Sequence, residues 1–226
     1  EWQMLKMELP LSAKAESVFR EAAFESACTP IAEGQEYSMH RFVDITGADG
    51  AGLCAANDGK YAFSVEGNRL CFPIARSAIY AQGNGVNWYN PIEGYDYTDL
   101  GKQEFTFLLS PHGAALENSD RYRLARLAQK PLLITTDCRH PGARSLTVWR
   151  GVRIEEDNVE AGCVKAAEDG DGLILRLFET QGKKTDGVLW VNGKAYDYEI
   201  GAHETLSLLI SPGRERAVRV NLLEED

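Results

Sequence analysis

Histidine is scarce in this 226-residue chain, with four copies at His40, His112, His140 and His203, and the shortage removes much chemistry at once. None heads a His-x-Asp pair, and His203-Glu204 lacks the second histidine that a metalloprotease helix needs. A Gly-x-Ser-x-Gly elbow, a phosphate-cradling glycine loop and a dinucleotide fingerprint are also missing. The five cysteines (Cys28, Cys54, Cys71, Cys138 and Cys163) are odd in number and contain no Cys-x-x-Cys pair. They read as buried free thiols of a reducing compartment, not as a disulfide framework or a zinc cluster. Positive charge is in deficit, with 24 Lys and Arg against 34 Asp and Glu, a formal net charge of -10. That balance opposes a nucleic-acid partner, because phosphate binding needs a cationic surface. No apolar run approaches the roughly 20 residues of a membrane span, and no basic–apolar–small leader precedes the first strand-like stretch. The chain opens at Glu1 inside an alternating pattern and reads as a segment excised from a longer protein.

What is present is a strand-forming sequence. With 44% hydrophobic and 26% charged residues, the chain has the composition of an ordinary folded domain. Its dominant period is two. In Gln103–Leu109, Phe105, Phe107 and Leu109 share one face, while Glu104 and Thr106 share the other. Thr205–Ile210 and Arg216–Leu222 alternate likewise, which predicts Val218, Val220 and Leu222 pointing inward. Turn signals punctuate these runs at Asn57-Asp58-Gly59, Glu66-Gly67-Asn68, Asp169-Gly170-Asp171-Gly172 and Asn192-Gly193. The pattern favours an antiparallel sandwich over a βαβ fold. One segment breaks it: Asn118–Lys130 carries Leu124, Leu127 and Ala128 at helical spacing, with Ser119 or Asp120 to cap it and Pro131 to stop it. Ala13–Ala27 also has a helical apolar face in Ala15, Val18, Phe19, Ala22 and Ala23.

Three places draw attention as sites. Gly172–Phe178 is apolar on both faces except for Arg176, which must find an anion or a carbonyl because burying a guanidinium unpaired is costly. A structural ion pair and a guanidinium reaching a cleft both fit. His112, in Pro111-His112-Gly113, follows a strong strand and reads as a turn residue or, less simply, as a functional imidazole. Residues 81–100 are rich in glycine, asparagine and aromatics, and Trp88, Tyr89 and Tyr95 there offer rings either for stacking on sugar faces or for packing the loop onto its own sandwich. Glu168-Asp169-Gly170-Asp171-Gly172 resembles a calcium loop but lacks the EF-hand spacing, so a tight acidic turn is the better reading. Acidic residues are too many for a glycosidase carboxylate pair to be singled out.

Four stretches, in order, also resemble the C-terminal region of glycoside hydrolase family 38 α-mannosidases of the cytosolic and bacterial branch. They are Leu5–Leu11; His40–Asp44 leading into Asn57–Tyr61 and Glu66–Leu70; Tyr95–Phe105 running into Ser110–Gly113; and Lys165–Glu179. The resemblance implies an all-β fold, a galactose-mutarotase-like antiparallel β-sandwich with one short helix and a small C-terminal β element. The short strands from about Gly187 onward suggest a separate small sheet or a final layer, which divides the chain into a large sandwich over 1–186 and the small element over 187–226, and the resemblance implies strand for Ala13–Ala27. It implies further that the catalytic nucleophile and zinc ligands lie in an N-terminal α/β catalytic domain outside this chain, which itself holds no cofactor. The expected function is non-catalytic support of a zinc-dependent retaining α-mannosidase acting on mannosides or oligosaccharides, in the cytoplasm, with homo-oligomerisation left open. Arg176, Asp58, Tyr61 and Trp88 are the expected substrate-contacting positions. Two rival readings are a stand-alone carbohydrate-binding module using Trp88, Tyr89 and Tyr95, and a mutarotase-like enzyme using His112 with a carboxylate.

Overall fold

The structure, a computed structural model, describes residues 4–12, 14–78, 97–130, 132–135, 151–170 and 172–225. Its elements follow in chain order as β1 (Met4–Pro10), β2 (Ala15–Ala22), β3 (Glu25–Thr29), β4 (Glu36–Ser38), β5 (Phe42–Gly47), β6 (Gly52–Asn57), β7 (Ala62–Glu66), β8 (Arg69–Arg76) and β9 (Phe107–His112). The helix α1 (Asn118–Gln129) comes next, then β10 (Val152–Ile154), β11 (Val159–Ala166), β12 (Leu173–Glu179), β13 (Thr185–Val191), β14 (Lys194–Ile200), β15 (Thr205–Ile210) and β16 (Val218–Val220). The strands form antiparallel sheets with one short helix beside them, an all-β sandwich architecture.

The chain divides into two compact units. The first comprises Glu1–Arg20, Cys28–Leu116 and Leu124–Gln129. Within it, the sheet ordered β1-β8-β7-β4 faces strands β2, β5 and β6. Phe63, Val65, Leu70 and Phe72 from one layer meet Val18, Val43, Ile45 and Ala55 from the other in a single buried cluster. Ala15–Ala22 illustrates how tertiary pairing overrides local preference. Its helical apolar pattern is real, yet its residues pair antiparallel with Val43–Gly47, and Val18 becomes 1% exposed.

The second unit comprises Glu21–Ala27, Glu117–Arg123 and Lys130–Asp226. Here the sheet β11-β12-β15-β16 faces the sheet β10-β13-β14. Leu175, Leu177, Leu206 and Leu208 pack against Leu189, Val191, Tyr196 and Ile200, so this core draws on strands to either side of position 186. The hairpin β13–β14 turns on Asn192 (φ 50°) and Gly193 (φ 83°), the left-handed pair that the Asn-Gly signal demands. Strand β12 is buried on both faces, as its composition predicts, with Ile174, Leu175, Leu177 and Phe178 at most 5% exposed.

Three local expectations change. Leu222 is 67% exposed, because Asn221 Oδ1 accepts the Leu223 and Glu225 N–H groups and bends the chain out of β16. Leu109 is 46% exposed, and β9 begins only at Phe107. At the start of α1 neither Ser119 nor Asp120 caps. Instead Asp157, from a distant segment, accepts the Ser119 N–H at 2.8 Å, and Pro131 lies outside the described residues.

Candidate functional site

Arg176 stands at the centre of β12, between β11 and β15, opposite Cys163 and Ser207. Its side chain is 29% exposed. Nη2 donates to the Leu222 carbonyl at 3.0 Å and lies 3.8 Å from Glu224, while Nε is buried with no hydrogen-bond partner among the described residues. Lys165 on β11 joins the group, 2.5 Å from the same Glu224 carboxylate and 3.1 Å from Glu168. The partner that the sequence demanded for this arginine is thus a carbonyl and a carboxylate in the segment after β16.

At the other end of β12, Glu179 is wholly buried and organises a polar node. Its Oε1 accepts from Asn158 Nδ2 and the Gln181 N–H, each at 2.8 Å. Oε2 accepts the N–H groups of Gly182 (2.7 Å), His203 (2.9 Å) and Lys183 (3.0 Å). Burial pulls the carboxyl upward, but these donors outweigh it and hold the group below the usual glutamate range. The node continues through buried side chains: Thr180 donates to the Asn158 carbonyl, Asn118 donates to Thr180, and the Ser26 hydroxyl is hydrogen-bonded with Asn118 Oδ1 and the Tyr122 hydroxyl. A carboxylate saturated by five donors is a structural anchor and has no lone pair left for catalysis.

A partly buried carboxylate, Glu156, accepts the Val188 N–H at 3.0 Å and the Tyr198 hydroxyl at 2.8 Å. Burial, then the bond and the charge of Glu156, drive the Tyr198 phenol far above its ordinary range. The surrounding open cavity of about 530 Å³ is lined also by Asp186, Asp197 and Glu199.

In the first unit, Asp58 is exposed and accepts the Thr106 N–H at 2.9 Å through Oδ1, while Tyr61 is 57% exposed. The preceding Asn57 shapes this turn by accepting the Gly59 N–H at 2.9 Å and the Lys60 N–H at 2.5 Å. His112 is not a turn residue. Its imidazole reaches across β6 to Asp44 on β5, with Nε2 2.8 Å from Oδ1 and the two side chains 5% and 0% exposed. Gly52 makes the crossing feasible, since a Cβ there would sit 2.5 Å from the imidazole Cε1. A cavity of about 390 Å³ lies beside the pair, walled by Pro10, Leu11, Ile45, Leu53 and Pro111. Nδ1 is buried without a partner among the described residues, so the imidazole offers this cavity no accessible nitrogen there.

Trp88, with Tyr89, Tyr95 and His140, lies outside the described residues. Arg176 belongs to one compact unit, Asp58 and Tyr61 to the other. The sequence reading missed Asp44, Glu156 and Glu179, whose partners lie 68, 42 and 24 residues away in the chain. A polar residue closing an apolar strand was the one available signal, and it marked Glu179. Among the described residues no group of three or more His, Cys, Asp or Glu side chains is placed to hold a metal ion. Among them, too, no helix is long and apolar enough to cross a membrane.

Residues 158–226 match the family described as glycosyl hydrolases family 38 C-terminal beta sandwich domain. Over 194 residues, 81% of the chain, it is 26% identical to alpha-mannosidase 2C1 of Mus musculus and of Homo sapiens. The chain spans only 17% of the length of these relatives. Among solved structures, an alpha-mannosidase from Enterococcus faecalis V583 superposes with a TM-score of 0.68 at 19% identity, covering 90% of this chain and 25% of that one. A second Enterococcus faecalis protein of glycosyl hydrolase family 38 gives a TM-score of 0.65, also at 19% identity, over 90% of this chain and 26% of its own. These two likenesses speak for the fold. With the sequence matches, they agree with the four stretches read above: residues 158–226 carry the C-terminal β-sandwich domain of glycosyl hydrolase family 38, and the rest of the chain is similar to α-mannosidases of that family.

Proposed function

We propose that the chain serves as the non-catalytic C-terminal region of a zinc-dependent, retaining α-mannosidase of the cytoplasm, where it supports an N-terminal α/β catalytic domain and lines the sugar cleft. The observation that carries this reading is alignment with α-mannosidases over 81% of the chain, against only 17% of their length. A retaining glycosidase needs a carboxylate pair about 5 Å apart, flanking the scissile bond. In the second unit, the buried Glu179 is instead consumed by four backbone N–H groups and Asn158, and the partly buried Glu156 accepts from Val188 and Tyr198. Zinc and the nucleophile belong to the catalytic domain in this reading, and the sandwich supplies positioning groups only. Arg176, Asp58, Tyr61 and Trp88 are the positions we assign to substrate contact. The exposed Tyr61 ring is suited to stacking on a sugar face.

The test is direct. The isolated chain is incubated with an aryl α-mannoside, and its metal content is measured by elemental analysis. The reading expects release of the aryl group at the background rate and less than one zinc per ten chains. Turnover by the isolated chain would overturn it.

A further inference from the structure

The segment after β16 folds back onto Arg176, the residue assigned above to substrate contact, in a charged arrangement that includes groups the proposed support role does not use. Glu224 adopts φ 69°, a left-handed conformation that a residue with a side chain enters at a cost. Its carboxylate is nevertheless 8% exposed, with Oε2 hydrogen-bonded and the buried Oε1 held by charge proximity to two cations, without a hydrogen bond among the described residues. Oε2 accepts the Glu168 N–H at 2.8 Å, Lys165 Nζ stands 2.5 Å from Oε1, and Arg176 Nη2 stands 3.8 Å from Oε1. Two cations and a backbone N–H converging on one carboxylate are the donor set by which proteins bind carboxylates and phosphates. The Glu224 carboxyl is held below its usual range, first by Lys165 and then by the bond from the Glu168 N–H.

The occupant is lightly held. Leu222 and Leu223 are 67% and 77% exposed, so little apolar burial fastens this turn. Asn221 Oδ1 bonds to Leu223 and Glu225, which shapes the turn without tying it to the sheet. What attaches it are the Arg176 bond to the Leu222 carbonyl and the contacts of Glu224. The donors, by contrast, are fixed: Arg176 lies on a strand hydrogen-bonded on both sides, and Lys165 and Glu168 lie at or beside the hairpin joining β11 to β12. Arg176 Nε, buried and without a partner among the described residues, is a further donor already in place.

We propose that Lys165, Arg176 and the Glu168 N–H form an oxyanion receptor, and that Glu224 is its removable internal occupant. When the 221–225 turn swings away, an external carboxylate or phosphate takes the same donors. The inference stands apart from the mannosidase assignment, since it concerns binding by this chain alone.

The experiment titrates the Glu224→Gln chain with sodium phosphate and, separately, sodium acetate, against sodium chloride at matched ionic strength. The Glu168 amide and Arg176 Nε–H resonances are followed by NMR. The expected result is a saturable shift of both resonances, at least tenfold tighter in the variant than in the unaltered chain, and lost in Glu224→Gln/Arg176→Gln. Saturation by phosphate alone assigns the receptor to phosphate-bearing ligands, whereas saturation by acetate, with or without phosphate, assigns it to carboxylates. A second variant ending at Val220 carries the same expectation for Arg176 and guards against misfolding of the first. The proposal is overturned if neither anion gives a saturable shift, if chloride gives the same response, or if variant and unaltered chain bind equally.

Discussion

Replacing Glu179 by glutamine changes one atom and tests the buried node of the second unit. The carboxylate accepts five hydrogen bonds, two at Oε1 and three at Oε2. A glutamine carbonyl can serve one of these sets. Its amide nitrogen then faces the other, setting donor against donor for at least two groups. An orphaned buried donor costs about 1–3 kcal/mol, and loss of the charge weakens the bonds that remain. The expected loss is about 4 kcal/mol, which for a chain of this size lowers Tm by about 8–16 °C. The pH dependence has a defined sign. Because the folded-state pKa of Glu179 is depressed, despite burial, by the donors from His203, Gln181, Asn158 and Lys183, the native state binds fewer protons than the unfolded chain near pH 4. The stabilisation is complete above the unfolded value of about 4.3 and disappears as pH falls through the lower folded value. Thermal melts of both proteins from pH 7 to pH 3 should therefore show a large gap that narrows only below about pH 4. A Tm difference under 2 °C at pH 7, or a gap that does not change with pH, would refute the reasoning.

Three more outcomes follow from the geometry. Gly52→Ala places a Cβ 2.2 Å from the Ile45 carbonyl oxygen and 2.5 Å from the His112 ring; urea unfolding should report a loss of about 3 kcal/mol from overpacking and disturbance of the His112–Asp44 bond. Tyr122→Phe removes a buried hydroxyl that is hydrogen-bonded with Ser26 at 3.1 Å, and the same assay should read about 1 kcal/mol. Spectrophotometric titration to pH 11 should find the Tyr198 phenol still protonated, so that Tyr198→Phe leaves the tyrosinate absorbance at that pH unchanged.

The sequence made the sheet character legible wherever apolar alternation and turn residues agree. Strand β12, filled on both faces, and the Asn192-Gly193 hairpin both form as expected. Ala15–Ala22 was ambiguous for a physical reason: small apolar residues at helical spacing also suit a strand, and only pairing with β5 decides between them. Leu222 escaped the inward pattern because Asn221 competes for the backbone. Arg176 announced that it needed a partner, but nothing local identified the Leu222 carbonyl 46 residues on. The same distance problem hid the His112–Asp44 pair: it depends on three strands lying side by side and on the absence of a side chain at Gly52. Helix α1 was legible in its periodicity but not in its cap, which Asp157 supplies from outside the helix.

The central claim is that this sandwich supports a mannosidase without performing its chemistry. The most direct measurement takes the longer enzyme to which the chain is assigned, truncates it before the position of Met4, and assays an aryl α-mannoside with and without the isolated chain added in trans. The account predicts that the truncated enzyme loses at least tenfold in activity or in thermal half-life, and that the added chain restores part of it. A truncated enzyme as active and as durable as the intact one would contradict the account.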